Sequence, residues 1–399
     1  MRENKGVIIV YTVILITSIM VILLAMYQGL TTSVKETRFQ LRYAGQAENV
    51  ARAGLIDAIN WFRRQESQPV CNISNPDSAF NPKYSTNTAQ SDTIDESIGI
   101  VKEYVLSEND KIWARYEVKK QSTGPYDPHA VHDITGERIE GHQNGEGLCW
   151  YIESAGYVFI RRSTSVAFNQ PPNEIIGRAR VATEIRRLDL SLPADAAYFV
   201  NDGGSSGSRT VEIFSQGRVI GENNIGCARY SGEKPRVYSG GQVTGSPKYQ
   251  NWVGPPTCSS IFGVEEDELK NLADYYVNSV SELPSEYPSM ALVFIDNSAT
   301  FDATHKLRGG GILYVNGDLT LESGSNTLFS GLIYVTGKIY IYGPALISGA
   351  VVGYEGMELR GAGDVAQIEF DNTILDSVRQ QICQYRELRS AYRTFTGIR

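Results

Sequence analysis

Gly311-Ile-Leu-Tyr-Val-Asn-Gly317-Asp-Leu-Thr-Leu321 recurs twenty residues later as Gly331-Leu-Ile-Tyr-Val-Thr-Gly337-Lys-Ile-Tyr-Ile341. A looser copy follows eighteen residues on, as Gly349-Ala-Val-Val-Gly353 and Met357-Glu-Leu359. Laid over one another, the copies put Leu313, Ile333 and Val351 in one inward row. Val315 falls over Val335, Leu319 over Ile339 and Met357, and Leu321 over Ile341 and Leu359. The alternate positions are polar, with Asp318 over Lys338 as a ladder ion pair, then Glu322, Tyr342 and Arg360. Two apolar alternations per copy, with glycine at the corners, fit a short parallel β-helix. Each rung's inward row can be buried only by the rungs above and below it.

Outward from the repeat, Ala197 to Gly221 supplies an earlier, imperfect rung. A Pro- and Gly-rich excursion over 222–262 carries Cys227 and Cys258, and a helix is expected over 264–283. The tail from Asn372 to Arg393 reads as an amphipathic helix, with Leu375, Val378, Ile382, Tyr385, Leu388 and Tyr392 on one side. It could cover the open end of the rungs. Upstream, strand-like runs lie at Ile98 to Leu106, Ile112 to Lys119, Cys149 to Arg161 and Ile176 to Leu190. They suggest an antiparallel sheet packed on a helix. Arg178, Arg180, Arg186 and Arg187 then read as the solvated face of the last strand.

The N-terminus holds the apolar run VIIVYTVILITSIMVILLAMY from Val7 to Tyr27, with no charge until Lys35. Twenty-one helical residues span about 31 Å, enough for a bilayer core. From Gln28 to Gln65 there is no proline, and Leu41, Ala44, Ala47, Ala51, Leu55, Ala58 and Phe62 recur near a 3.6 period. A plain single-span anchor with a helical stalk would explain the hydropathy equally well. The leader MRENKG distinguishes the two, because Lys5-Gly6 abuts an uncharged helix that is retained. This resembles the class III leader of type IV pilin-like proteins, and the resemblance implies cleavage between Gly6 and Val7. The stretch from Gln46 to Phe62 resembles the stalk of PilX-type minor pilins. Tyr11 stands where major pilins carry glutamate, so the resemblance implies a low-copy subunit whose membrane and filament helix includes Val7, Ile8 and Tyr11. The repeat resembles the small β-helix that follows the pilin-like region in many PilX-type proteins.

The expected fold class is therefore α+β. It comprises a long N-terminal transmembrane and stalk helix, an antiparallel pilin-like sheet, and a short parallel β-helix capped by a C-terminal helix. The expected divisions are a leader (1–6), the transmembrane and stalk helix (7–65), a connector and sheet (66–197), the β-helix domain (198–370) and the C-terminal helix (371–399).

Composition narrows the function. The 399-residue chain has 37 basic and 45 acidic side chains, a net charge of −8, which gives no reason to expect nucleic acid. No G-x-S-x-G, H-E-x-x-H, Walker A or G-x-G-x-x-G pattern occurs, so no catalytic residue and no cofactor is assigned. His129 and His132 could share a metal, but they sit in a Pro- and Asp-containing loop with no third ligand, and no metal is assigned. The five cysteines fit an oxidising compartment, with Cys227–Cys258 and Cys71–Cys149 as disulfide candidates and Cys383 unpaired. The reading is a structural and assembly subunit of a type IV pilus or secretion pseudopilus. Its expected partners are other pilin-like subunits, the assembly machinery, a prepilin peptidase and the bacterial inner membrane, crossed once with the N-terminus cytoplasmic. Adhesion through outward Tyr314, Tyr334, Tyr340 and Tyr342 is a companion possibility. The alternative is a membrane-anchored β-helix protein acting as an adhesin or carbohydrate-active enzyme.

Overall fold

The computed structural model describes residues 4–83, 95–122, 124–201, 211–251, 254–361 and 363–396, and for 4–14, 25 and 29–40 the backbone alone. The chain divides into two compact units, Met1–Glu184 with Ala391–Arg399, and Ile185–Ser390.

In the first unit, helix α1 (Asn4–Arg64) is 61 residues long. Its later half is amphipathic for a local reason. Ala47, Val50, Ala51, Leu55, Ala58, Ile59 and Phe62 recur three or four apart, and all are buried. Arg63 and Arg64 in the last turn suit the negative end of the helix. That stripe lies on β1 (Gly99–Ser107), β2 (Ile112–Lys119) and β4 (Cys149–Ile160). The two-residue β3 (His132–Asp133) and the single turn α2 (Thr135–Arg138) fill the loop between β2 and β4, and β5 (Glu174–Arg187) completes the order β1-β2-β4-β5. Asp133 fixes the loop by accepting backbone N–H bonds from Thr135, Gly145 and Gly147. The strand Arg393–Thr396 returns to pair antiparallel with Ala179–Ala182 of β5.

The second unit opens with β6 (Ala196–Val200), β7 (Val211–Ile213), β8 (Gly217–Ile220) and β9 (Ile225–Arg229). Short strands β10 (Arg236–Val237), β11 (Gln242–Thr244) and β12 (Tyr249–Asn251) follow, then helices α3 (Cys258–Phe262) and α4 (Glu266–Leu272). Strands β13 (Tyr275–Val277), β14 (Ala291–Ile295), β15 (Ala299–Phe301), β16 (Arg308–Val315) and β17 (Leu319–Leu321) come next. They lead to β18 (Thr327–Val335), β19 (Lys338–Tyr342), β20 (Ala345–Gly353), β21 (Gly356–Arg360) and β22 (Ala366–Phe370). Helix α5 (Asn372–Gln381) and β23 (Tyr385–Glu387) end the unit, and the strand returning to β5 is β24 (Arg393–Thr396).

Among the described residues the strands of this unit form a six-stranded sheet, β10-β7-β21-β19-β17-β15, and an eleven-stranded one whose longest path is β11-β8-β22-β20-β18-β16-β14-β13. Pairing along both paths is parallel. Gly311, Gly331 and Gly349 stand opposite one another, as do Leu313, Ile333 and Val351. All three apolar residues are wholly buried, and so are Leu319, Ile339 and Met357 in the other sheet.

Several expectations are corrected here. The expected fold class gives way to a chain whose described residues lie mostly in strands of large sheets, with short helices apart from α1. No helix among the described residues is long and apolar enough to cross a membrane. This overturns the single-pass inner-membrane placement.

The helix expected over 264–283 stops at Leu272, and Tyr275–Val277 pairs with β14 instead. The tail helix stops at Gln381, because Tyr385–Glu387 pairs with Ile185–Arg187 of β5 and takes those backbone groups out of helical bonding. Arg186 is no solvated side chain. It is 3% exposed, its guanidinium beside the Glu268 carboxylate at 3.1 Å and donating to the Gly263 carbonyl at 3.0 Å. Asp318 and Lys338 form no ladder ion pair. The Asp318 carboxylate accepts the Lys338 backbone N–H at 2.8 Å, while the ammonium lies over the Tyr340 ring at 5.0 Å.

Candidate functional site

The feature that organises the first unit is the seat of α1 on its sheet. Asp57 interrupts the apolar stripe, and its carboxylate meets the Lys102 ammonium of β1 and accepts a hydrogen bond from the Tyr116 hydroxyl of β2. Burial, reinforced by that carboxylate, pushes the Tyr116 phenol above its ordinary value, so it stays a donor at any physiological pH. Helix and sheet touch at backbone distance. A Cβ at Gly156 of β4 would lie 2.1 Å from the Ala47 carbonyl oxygen. One at Gly177 of β5 would lie 2.4 Å from that of Tyr43. At the C-terminal end of α1, Phe62 stacks on Phe80 at 5.4 Å and leans on Trp150 at 5.1 Å, with Trp61 edge-on to Phe80 at 4.9 Å. Such contacts fix a long helix in one rotation about its axis.

The other face of that sheet is held by charge. Glu103 bridges Arg115, at 2.7 Å, and Arg161, and Arg115 also reaches Glu117 at 2.6 Å. Glu153 is 4% exposed and accepts from the Tyr151 hydroxyl (3.0 Å) and from Arg180 (3.2 Å), with the His129 ring nitrogen 3.0 Å away. His132 bonds the Ala130 carbonyl at 2.8 Å, so the two loop histidines face different partners. Sequence reasoning missed both Asp57 and Glu153. For Asp57 a signal existed, an acid set inside an apolar helical stripe. For Glu153 none did, because apart from Tyr151 its partners, His129 and Arg180, are 24 and 27 residues away.

In the second unit, Tyr314 and Tyr334 are not displayed for adhesion. They are 1% and 2% exposed, stacked at 4.8 Å, with Phe294 on the far side of Tyr314 at 4.4 Å. Phe262 of α3 packs against Tyr334 at 5.7 Å, and the Tyr334 hydroxyl donates to the Pro256 carbonyl at 2.9 Å. The chain between Pro255 and Phe262 thus covers a face that the repeat alone leaves open. Tyr340 and Tyr342 remain half-buried on the six-stranded sheet.

Of the remaining residues singled out by sequence, Gly6, Val7, Ile8 and Tyr11 lie where side chains are outside the described residues. No disulfide joins the five cysteines, of which Cys71 is exposed and Cys149, Cys227, Cys258 and Cys383 are buried. Cys227 lies within β9 between Tyr198 and Tyr249, whereas Cys258 opens α3. Burial pushes the Cys227, Cys258 and Cys383 thiols up to about 12, leaving almost no thiolate at neutral pH. Iodoacetamide at pH 8 should therefore label Cys71 in the native protein and the other four only after unfolding, as read by peptide mass spectrometry. Labelling of Cys227 and Cys258 that required a reductant as well would restore their disulfide.

No family model matches the chain, and no curated protein matches it. Among solved structures it is similar to the competence-associated pilin ComZ from Thermus thermophilus. The two are 8% identical over 89% of this chain and 98% of that one, with a TM-score of 0.22. This is a weak likeness to a pilin, and at that score it carries no argument.

Proposed function

We propose that the chain is a pilin-like structural subunit and not an enzyme. One observation carries this reading. The later half of α1 is locked to a sheet, while among the described residues before it Leu15, Met20 and Leu24 are between 61% and 67% exposed. Large apolar side chains in a row on one helix are stable only when something covers them. In a subunit of this kind the cover is the equivalent helix of neighbouring subunits, in heterologous head-to-tail contacts. The Lys5-Gly6 junction before the apolar run supports the same reading through its resemblance to pilin leaders. Tyr11, in place of the shaft subunit's glutamate, cannot neutralise a neighbour's terminal amine and favours a low-copy position near a filament end.

The test is the mature N-terminus. When the chain is co-expressed with a prepilin peptidase and its companion pilin-like subunits, mass spectrometry should find a polypeptide starting at Val7. A photo-crosslinker at Ile19 should capture those subunits. An intact Met1 together with no capture would remove the pilin-like reading.

A further inference from the structure

Across the sheet from α1, where the β1–β2 turn meets the segment after β4, an open cleft of about 590 Å³ enters the first unit. That volume suits a small-molecule site, for which about 300–1,000 Å³ is usual. Val105 (40% exposed) and Trp113 supply its apolar surface. The Arg161 guanidinium lies 4.3 Å from the Trp113 ring centroid and is anchored by Glu103. Its Nε is buried and has no hydrogen-bond partner.

The rim is polar, with Lys111 and Glu108 on the turn and Arg162, Ser163 and Thr164 on the facing segment. Backbone bonds fix the two sides together, Arg161 N–H to the Lys111 carbonyl at 2.9 Å and Lys111 N–H to the Glu108 carbonyl at 3.2 Å. Lys111 holds a left-handed backbone, φ 53°, that glycine or asparagine would adopt at lower cost. Its ammonium makes no ion pair among the described residues. Arg162 has only a pair with Glu174 at 3.2 Å, both side chains more than half exposed, an arrangement that holds the guanidinium weakly.

We propose that this cleft binds an anionic sugar residue, a uronic acid or sugar phosphate unit of a polysaccharide. The negative group sits between Lys111 and Arg162, the ring lies against Val105 and the Trp113–Arg161 stack, and Glu108, Ser163 and Thr164 meet its hydroxyls. A bare anion would leave the apolar surface unused. Nucleic acid would need a track of several phosphate contacts, which two rim cations on a chain of net charge −8 do not provide. This assignment does not depend on the pilin-like reading.

Titration of the full chain by calorimetry with glucuronate, glucose 6-phosphate, glucose and inorganic phosphate tests it. Both anionic sugars should bind at least tenfold more tightly than glucose or phosphate. Lys111→Ala with Arg162→Ala should weaken both by at least tenfold without moving the melting temperature, since Lys111 and Arg162 contribute no buried contact. Absence of saturable binding by either anionic sugar overturns the proposal. So does inorganic phosphate or glucose binding as tightly as they do, or a double variant that binds like the parent chain.

Discussion

Gly331→Val should strongly destabilise the second unit. Gly331 has φ +147°, and a Cβ there would lie 2.0 Å from the Gly311 carbonyl oxygen and 2.9 Å from its nitrogen. Gly349, directly beyond it, repeats the problem against Gly331, with a Cβ 2.1 Å from that carbonyl oxygen. No side-chain rotation relieves an overlap with backbone, so β16 and β18 would have to part along a ladder that runs from Arg308 to Val315. Backbone strain of about 1–3 kcal/mol adds to an overpacking cost of similar size. A loss on the order of 4 kcal/mol is a large share of the roughly 5–15 kcal/mol that holds a domain. Limited proteolysis should cut between residues 308 and 353, and the thermal transition should fall by about 10 °C or disappear. A variant that melts within two or three degrees of the parent would show that these rungs tolerate separation.

Gly156→Val should have the next largest effect, through a different contact. The substituted Cβ meets the Ala47 carbonyl at 2.1 Å and the Ala51 nitrogen at 2.5 Å, so α1 itself must rise from β4. Lifting it opens the space shared by Tyr43, Ala47, Ile112, Val158 and Ala179 and strains the Asp57 contacts to Lys102 and Tyr116. A cost of roughly 3 kcal/mol follows from overpacking and lost burial. Amide exchange should accelerate over residues 43–62 while the ladder from β16 to β20 keeps its protection. Uniform acceleration across both units would mean that the two do not unfold separately, and unchanged exchange would mean that the helix is not seated by this glycine.

The repeat was readable because two independent periodicities coincide. Glycine and inward apolar residues return together at one offset, so a single alignment of Gly311 on Gly331 sets the partner of every neighbour. The helical stripe from Ala47 to Phe62 was readable for the same reason, a period held over several turns. What failed depended on segments far apart in sequence. Tyr314 and Tyr334 sit on positions that alternate outward, and only the remote segment around Phe262 and Pro256 makes them interior. The tail looked helical through Tyr392 because its apolar spacing suits a helix, yet Tyr385 and Arg393 each found an edge of β5 to pair with. Arg186 looked like a surface residue because its partners, Glu268 and Gly263, lie some eighty residues on. The cleft at Trp113 leaves no motif, since its residues come from a turn and from the end of a strand.

The return of β24 to β5 makes the first unit discontinuous, with the 206 residues from Ile185 to Ser390 intervening before its last strand. On the ribosome, β5 is therefore made long before the partner for its Ala179–Ala182 backbone exists, and that edge waits through synthesis of the entire second unit. A strand edge left open for that time can recruit another nascent chain. The residues of β24 consequently belong to the quality of the first unit's assembly, although they are made only after the whole of the second unit. Removing them should cost yield through aggregation during synthesis more than it costs the stability of molecules that have already folded.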